Sequence, residues 1–259
     1  MARPVGLITA MVEEIHHFAE HFRGEETVSE LGWEFVKGEL DGVPLVAVEA
    51  GIGKVQTAVV STLLAQHFDC GALIFSGVAG GLSMGLAIGD AVIAERSIQI
   101  DYGALTDDGL IRYQPGVPPL PQFPRDHGYL LDPTLRDDIK KRLLGFEMPE
   151  VSLGNNLPIR RPSIRLGTIL TGDLFINSAT ERDRLFEETG AFAFEMEGAA
   201  MAQVADRVGI PWLVLRTLSD LAGSDSHLDF SAFVSATAGG AAALVRHLLP
   251  AVADRANAG

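Results

Sequence analysis

Three carboxylates follow apolar segments of the chain, where they could act together as acids and bases. Glu14, Glu197 and Asp220 each come after a short apolar run. Runs of four to eight apolar residues bounded by Gly, Pro or charge are typical of buried strands, and ligands of open α/β sheets bind beyond the carboxyl ends of strands. We therefore expect the three acids in one pocket, where they suit acid and base chemistry on a polar small molecule.

Each acid alone has a simpler interpretation. Glu197 could favour the positive end of a helix dipole, Asp220 could begin a turn or cap a helix, and Glu14 could be an exposed helix residue. The combination favours the functional interpretation.

The composition indicates a soluble globular chain with a large core. Of the 259 residues, 47% are hydrophobic, and no stretch has the roughly 18 uninterrupted apolar residues of a membrane helix. The net charge of −14 opposes binding to a phosphate backbone. We expect a single domain over residues 1–259, with neither nucleic acid nor membrane as partner. The first residues lack a secretory signal, so we expect the cytoplasm.

The cysteine and histidine content does not suggest a metal site. Cys70 is the single cysteine, which excludes an intrachain disulfide and a thiolate-rich site, and a buried free thiol is expected. The seven histidines show no spacing typical of zinc sites.

Hydrophobic patterns alternate between strand and helix, which predicts an α/β sheet flanked by helices. The predicted strands are 5–10, 33–40, 44–49, 72–78, 90–98, 165–171, a segment near Phe192, and 212–218. The predicted helices are 12–22, 54–66, 135–144, 179–188, 198–208 and 231–249. Between residues 102 and 133 periodicity fails and prolines cluster, so we expect a long functional or interface loop, with Pro115, Pro118, Pro119, Pro121 and Pro124.

Two glycine-rich turns could make tight turns or could bring backbone N–H groups to a ligand. They are Gly77-Val78-Ala79-Gly80-Gly81 and Gly51-Ile52-Gly53-Lys54. Neither fits a nucleotide P-loop or a full dinucleotide fingerprint. We expect Lys54 to be a solvated residue at the start of a helix.

Six motifs occur along almost the whole chain: residues 6–14 (GLITAMVEE), 51–55 (GIGKV), 76–81 (SGVAGG), 171–176 (TGDLFI), 194–198 (FEMEG) and 218–220 (LSD). In this order they resemble the motifs of 5′-methylthioadenosine/S-adenosylhomocysteine nucleosidases, in the nucleoside phosphorylase superfamily. The glycine turns and the Glu-Met-Glu run are common to much of that superfamily, whereas Met-x-Glu-Glu combined with Ser-Asp is more specific to the hydrolases. The resemblance implies a three-layer α/β/α fold with a mixed, partly closed β-sheet.

The resemblance also implies catalytic roles for the three acids, in cleavage of the bond between adenine and ribose. Asp220, beside the apolar Leu218 and Leu221, would be the general acid that protonates adenine N7. Glu14 would activate water, and Glu197 would hold the ribose hydroxyls. Neither a metal nor an organic cofactor is implied, and the partners would be an adenine nucleoside and water.

The remaining implied site residues contact the substrate or support the catalytic groups. Phe175 would stack on adenine, and the backbone of Ile176 would read the polar edge of the base. Gly80 would approach the substrate through its backbone, and Met196 would pack against the sugar. Those expected at the 5′-thioether are Met11, Ile52 and Phe230. Arg216 and Ser219 would support the water and acid sites.

Two features differ from several relatives. Val78 stands where several of them have Ser, and the loop after Asp101 is longer and richer in proline. This loop resembles the region by which one subunit closes its neighbour's site, so the resemblance implies a homodimer.

Three alternatives remain open: a hydrolase of 6-amino-6-deoxyfutalosine, a nucleoside phosphorylase, and a non-catalytic nucleoside-binding protein on the same fold. Hydrolysis is expected over phosphorolysis because Glu14 would repel phosphate beneath the sugar.

Overall fold

In the computed structural model, which describes residues 2–123, 125, 128–153, 159–224 and 226–258, one ten-stranded mixed sheet carries the fold. Its strands are β1 (Val5–Thr9), β2 (Phe22–Glu30), β3 (Trp33–Leu40), β4 (Val43–Glu49), β5 (Ala72–Gly81), β6 (Ala91–Gln99), β9 (Tyr129–Leu130), β10 (Ile164–Thr171), β11 (Ala193–Glu195) and β12 (Trp212–Asp220). A separate hairpin consists of β7 (Gly103–Thr106) and β8 (Gly109–Arg112).

The centre of the sheet is parallel. Strands β12, β5, β1 and β4 are neighbours in that order and all run the same way, so their carboxyl ends lie at one edge. These strands are almost wholly buried and consist of nearly continuous apolar residues. This composition is typical of parallel strands that are covered on both faces. Strand β11 pairs with both β10 and β5, which closes part of the sheet on itself.

Helices cover the sheet. They are α1 (Val12–Ile15), α2 (Lys54–Gln66), α3 (Pro133–Arg142), α4 (Ala179–Thr189), α5 (Gly198–Val208) and α6 (Ser226–Ala256). Helices α2 and α5 pack against each other and on β5, while α6 packs on β12 and β5 together with α1 and α3. The predicted α/β class, with a mixed and partly closed sheet, is confirmed. The assignment of the full range 1–259 to this domain stays a prediction.

The predicted helix over residues 12–22 is wrong in its second half. Helix α1 ends at Ile15 and a single 3₁₀ turn, His16–Phe18, follows, after which Phe22 begins β2. Strand β2 lies at the edge of the sheet and most of its residues are exposed. A solvated edge strand lacks the apolar alternation by which strands are predicted, and the prediction missed it.

The segment 102–133 is not an uninterrupted loop. It contains the β7–β8 hairpin and the short strand β9, and α3 begins at its end, at Pro133. The turn residues Asp107 and Asp108, followed by Gly109 at a positive φ of 109°, were a usable signal, because Asp and Gly are typical turn residues. Pro124 lies outside the described residues.

Helix α6 begins at Ser226 and ends at Ala256, so it is longer at both ends than the predicted 231–249. Its stretch Phe233–Ala256 is long and apolar enough to cross a membrane. However, 56% of the apolar 18-residue part of this stretch is buried inside the molecule. Because α6 packs on β12, β5 and α3, this apolar character is explained by the core of the fold.

Candidate active site

The twelve residues singled out from the sequence all line one pocket of about 200 Å³ at the carboxyl edge of the parallel strands. They are Met11, Glu14, Ile52, Gly80, Phe175, Ile176, Met196, Glu197, Arg216, Ser219, Asp220 and Phe230. Its lining is mostly apolar and aromatic with a few polar groups, which is typical of a small-molecule site. The structure thus brings the predicted residues together, and the role of each stays a prediction.

Glu14 is the third residue of α1, and its carboxylate lines the pocket. The side chain folds back on the start of its own helix, where Oε2 accepts the N–H groups of Ala10 at 2.8 Å and Met11 at 3.1 Å. Such a contact from the third helical residue satisfies donors that a helix start leaves unpaired. Oε1 accepts the N–H of Val78 at 2.9 Å. Three backbone donors therefore fix this carboxylate, which is only 3% exposed.

Strand β12 supplies three site residues, Arg216, Ser219 and Asp220. Its register against β5 shifts between Leu218 and Asp220. Strict alternation would send consecutive side chains to opposite faces, and a bulge changes this locally. The shift explains how Ser219 and Asp220, although consecutive, both line the pocket.

Asp220 is held by donors yet largely withdrawn from water. Its Oδ1 accepts the N–H of Ala222 at 2.8 Å, and its Oδ2 accepts the hydroxyl of Ser219 at 3.0 Å. Burial raises the pKa of Asp220 above the ordinary value, and these hydrogen bonds only partly oppose that effect. The environment therefore favours a proton on this carboxyl group, as a general acid requires.

Glu195, which the sequence did not single out, organises the base of the pocket. Its carboxylate pairs with the Arg216 guanidinium and accepts the Thr171 hydroxyl. It also accepts the N–H groups of Glu197 at 3.0 Å and Gly198 at 2.7 Å, and so caps the start of α5. The acidic residue two positions before Glu197 was the only available signal, and strand alternation does not reveal a helix cap.

Arg216 is the one cation among the described pocket-lining residues, and it faces three glutamates. Besides Glu195, its Nη2 lies 3.3 Å from Glu197. Burial raises the pKa of Glu14, and burial together with the nearby Glu195 raises the pKa of Glu197 to about 8, although Arg216 opposes both changes. The ring of Phe75 lies under the guanidinium, 4.4 Å from its centre.

Gly77 leaves room where Glu14 and Arg216 approach each other. A Cβ atom at this position would lie 2.4 Å from Arg216 Nη1 and 2.4 Å from Glu14 Oε1. Arg216 Nε has no hydrogen-bond partner although it is buried. A side chain at this strand position would collide with both groups, so only glycine fits there.

The mouth of the pocket is apolar and partly open. Phe175 meets Phe230 edge to face with ring centroids 6.0 Å apart. Phe175 is 50% exposed and Ile52, from the turn before α2, is 54% exposed. A flat aromatic ring between apolar side chains suits a planar base or an apolar substituent.

Other pocket-lining residues were not predicted, and most are small or apolar. They are Ala10, Val78, Ala79, Leu174, Phe194, Glu195 and Ala222. Among the described residues, no group of three His, Cys, Asp or Glu side chains could hold a metal ion.

The family model of the phosphorylase superfamily matches residues 4–250. The chain therefore belongs to the phosphorylase superfamily, as the sequence motifs predicted.

Relatives within the superfamily narrow this assignment. The chain is 43% identical over 250 residues to the 5′-methylthioadenosine/S-adenosylhomocysteine nucleosidase of Mycobacterium bovis, covering 96% of this chain and 98% of that protein. The crystal structure of the nucleosidase of that name from Neisseria meningitidis, in complex with methylthio-immucillin-A, has a TM-score of 0.79 at 27% identity and covers 95% and 98% of the two chains. Futalosine hydrolase of Helicobacter pylori also has a TM-score of 0.79 at 27% identity, covering 96% and 98%. The chain is thus a member of the 5′-methylthioadenosine/S-adenosylhomocysteine nucleosidase family.

The raised pKa of Glu197 makes the stability of the fold depend on pH. Between the ordinary value of 4.5 and about 8, folded Glu197 keeps a proton that the unfolded chain has released, so this group's contribution to stability falls as pH rises. The slope is at most about 1.4 kcal/mol per pH unit. Glu197→Gln carries no titrating proton at this position. We therefore expect the free energy of unfolding in urea, measured between about pH 5 and pH 8, to fall for the wild type relative to Glu197→Gln as the pH rises.

The exposed Glu20→Gln variant is the control for a glutamate substitution at the surface. The raised pKa would be contradicted if the free energy of unfolding of the wild type, relative to that of Glu197→Gln, stayed constant or increased as the pH rises.

Proposed function

We propose that this protein hydrolyses the N-glycosidic bond of 5′-methylthioadenosine and S-adenosylhomocysteine, releasing adenine and the 5′-thio-substituted ribose. One observation carries the proposal: Glu14 and Glu197 follow strands β1 and β11, Asp220 ends β12, and all three are buried around one pocket. Membership of the nucleosidase family supports the same reaction.

Asp220 is the general acid in this proposal. Adenine is a poor leaving group until its ring nitrogen N7 accepts a proton, and a buried carboxyl group that keeps its proton can supply one. Burial, which raises the pKa of Asp220, favours the proton on it, and the Ser219 and Ala222 donors fix the orientation of its carboxyl group. Phe175 stacks on the base, while the backbone of Ile176 reads its polar edge and that of Gly80 contacts the substrate.

The glutamates act on the sugar. As the bond to adenine breaks, positive charge develops on the ribose, and nearby carboxylates stabilise this charge. Glu197, with Met196 beside it, holds the ribose hydroxyls. Glu14 takes a proton from the attacking water, and its raised pKa moves it toward the range in which a general base works best. Arg216, whose charge acts on Glu14, supports the water site.

The charge balance of the pocket favours water over phosphate as nucleophile. A phosphorylase holds a phosphate dianion beneath the sugar, usually with free Arg side chains and N–H groups. Here Arg216 is already paired with Glu195 and Glu197, and the backbone N–H groups of Ala10, Met11 and Val78 are taken by Glu14. A dianion would therefore meet net negative charge.

The substituent at the 5′ position is read by Met11, Ile52 and Phe230. The similarity to futalosine hydrolase keeps 6-amino-6-deoxyfutalosine as a second candidate, because it carries the same adenine and ribose. Adenine release measured on all three nucleosides distinguishes the two activities, and a non-catalytic nucleoside-binding protein would release none.

Replacing the acid tests the mechanism. Asp220→Asn keeps the shape but carries no transferable proton, so we expect kcat for adenine release from methylthioadenosine to fall by about 10²–10⁴-fold with little change in substrate binding. In the wild type, kcat should fall as pH rises through the raised pKa of Asp220, because the acid is then ionised.

Asp254→Asn is the matched control, since it makes the same chemical change at an exposed residue of α6 that does not line the pocket. It should keep turnover near the wild-type level. Near-normal turnover of Asp220→Asn would overturn the assignment of the acid.

We also propose a homodimer, in the cytoplasm as the sequence predicts. Apolar side chains are exposed around the pocket mouth: Ile52, Leu174 and Phe175 are each half exposed, and Val55 is 75% exposed. An apolar surface of this kind marks an interaction site.

Sedimentation should give a dimer for the wild type, and Val55→Asp should weaken this dimer. Leu144 is 82% exposed and lies beyond α3, so Leu144→Asp should leave the dimer intact. A stable, fully active wild-type monomer would contradict the proposal.

A further inference from the structure

The segment Gly172–Ser178 carries part of the pocket, and although Ile176 packs against a buried apolar cluster, its tip at Leu174 and Phe175 is weakly fixed by packing. It joins β10 to α4 without regular secondary structure. Leu174 and Phe175 are each 50% exposed, so burial cannot define where the aromatic ring lies. A segment with few buried contacts opens easily unless polar contacts hold it.

Such contacts exist on the side of the segment that faces α2. Lys54 Nζ lies 2.6 Å from Asp101 Oδ1 and 3.8 Å from Asp173 Oδ2. The backbone N–H of Asp173 donates to Asp101 Oδ2 at 3.0 Å. Lys54 and Asp101 are only 19% and 21% exposed, so this ion pair is less screened by water than a surface pair. The expectation that Lys54 is simply solvated is wrong.

The same contacts tie the segment to the start of α2. Gly53, at the N-cap, has no side chain to cap the helix, and Asp173 accepts the Lys54 N–H in its place at 2.9 Å. The N–H of Gly53 donates to Glu197 Oε1 at 2.8 Å. The turn that carries Ile52 and the segment that carries Phe175 therefore share one anchored helix start.

We propose that Lys54, Asp101 and Asp173 form a clasp that positions Phe175 and Ile176 for the adenine base. The three residues come from the start of α2, the end of β6 and the segment after β10, and each contacts the other two. They are positioning residues, since the pocket-lining set includes none of them. The proposal rests on the proposed function, because it assigns the base to Phe175.

The clasp acts on binding more than on the chemical step. Phe175 contacts the base both before and during bond cleavage, and loss of such uniform binding raises KM while leaving kcat nearly unchanged. A residue that only stabilises the fold would not produce this split, nor would its effect depend on the presence of Phe175.

A double-mutant cycle tests the proposal on the intact protein. Lys54→Met should raise KM for methylthioadenosine and Kd for adenine by about tenfold, with kcat within about twofold. Phe175→Leu should also raise Kd for adenine, and the double variant should bind about as weakly as Phe175→Leu alone, because contacting or serially dependent residues are not additive. Asp101→Asn provides a second way to open the clasp if Lys54→Met folds poorly.

Lys140→Met is the matched control, because it breaks the Lys140–Glu95 ion pair of 2.9 Å on α3 and β6. It should leave KM, Kd and kcat unchanged. Effects of Lys54→Met and Phe175→Leu that multiply, or wild-type adenine binding by both clasp variants, would overturn the proposal.

Hydrogen exchange separates failure of the clasp from failure of the proposed function. Opening the clasp should speed exchange of the amides of residues 173–177 without any ligand, and unchanged exchange in both clasp variants would overturn the clasp. If the clasp variants exchange faster but the wild type neither binds nor releases adenine, the clasp stands. That result would overturn the proposed function and the assignment of the base to Phe175.

Discussion

One guanidinium buried among three glutamates is the constraint on which this site depends. A buried charge without a partner is strongly destabilising, so Arg216 needs its contacts with Glu195 and Glu197. It cannot neutralise all three acids, and burial raises the pKa of Glu14 and of Glu197. The fold thus holds acids whose affinity for protons is raised, and this property makes them useful for proton transfer.

The fold meets this constraint with backbone geometry. Glu14, the third residue of α1, accepts the N–H groups at the start of its own helix, and Glu195 caps α5 while it pairs with Arg216. Gly77 keeps the space between Glu14 and Arg216 open. The catalytic groups are therefore fixed by parallel strands and helix ends, and more mobile structure is left to the pocket mouth.

Much of this arrangement could be predicted because strongly apolar strands and glycine-ended helices have clear local signals. Helices α2 and α5 begin and end at the predicted residues. The edge strand β2 could not be found, since its solvated residues carry no alternation. Glu195 and Lys54 were also beyond local reasoning, because their partners lie on other elements and only the tertiary fold brings them together. The shift of register that turns Asp220 into the pocket is likewise a property of strand pairing.

The central claim is that the acidic pocket uses water, and identification of the sugar product in phosphate buffer tests it most directly. The wild-type protein is incubated with 5′-methylthioadenosine at several phosphate concentrations, and both products are identified by mass spectrometry. Our account predicts free adenine, unphosphorylated methylthioribose, and a rate independent of phosphate concentration. Formation of a sugar 1-phosphate at a rate that rises with phosphate would contradict it and would mean that Glu14 does not activate water.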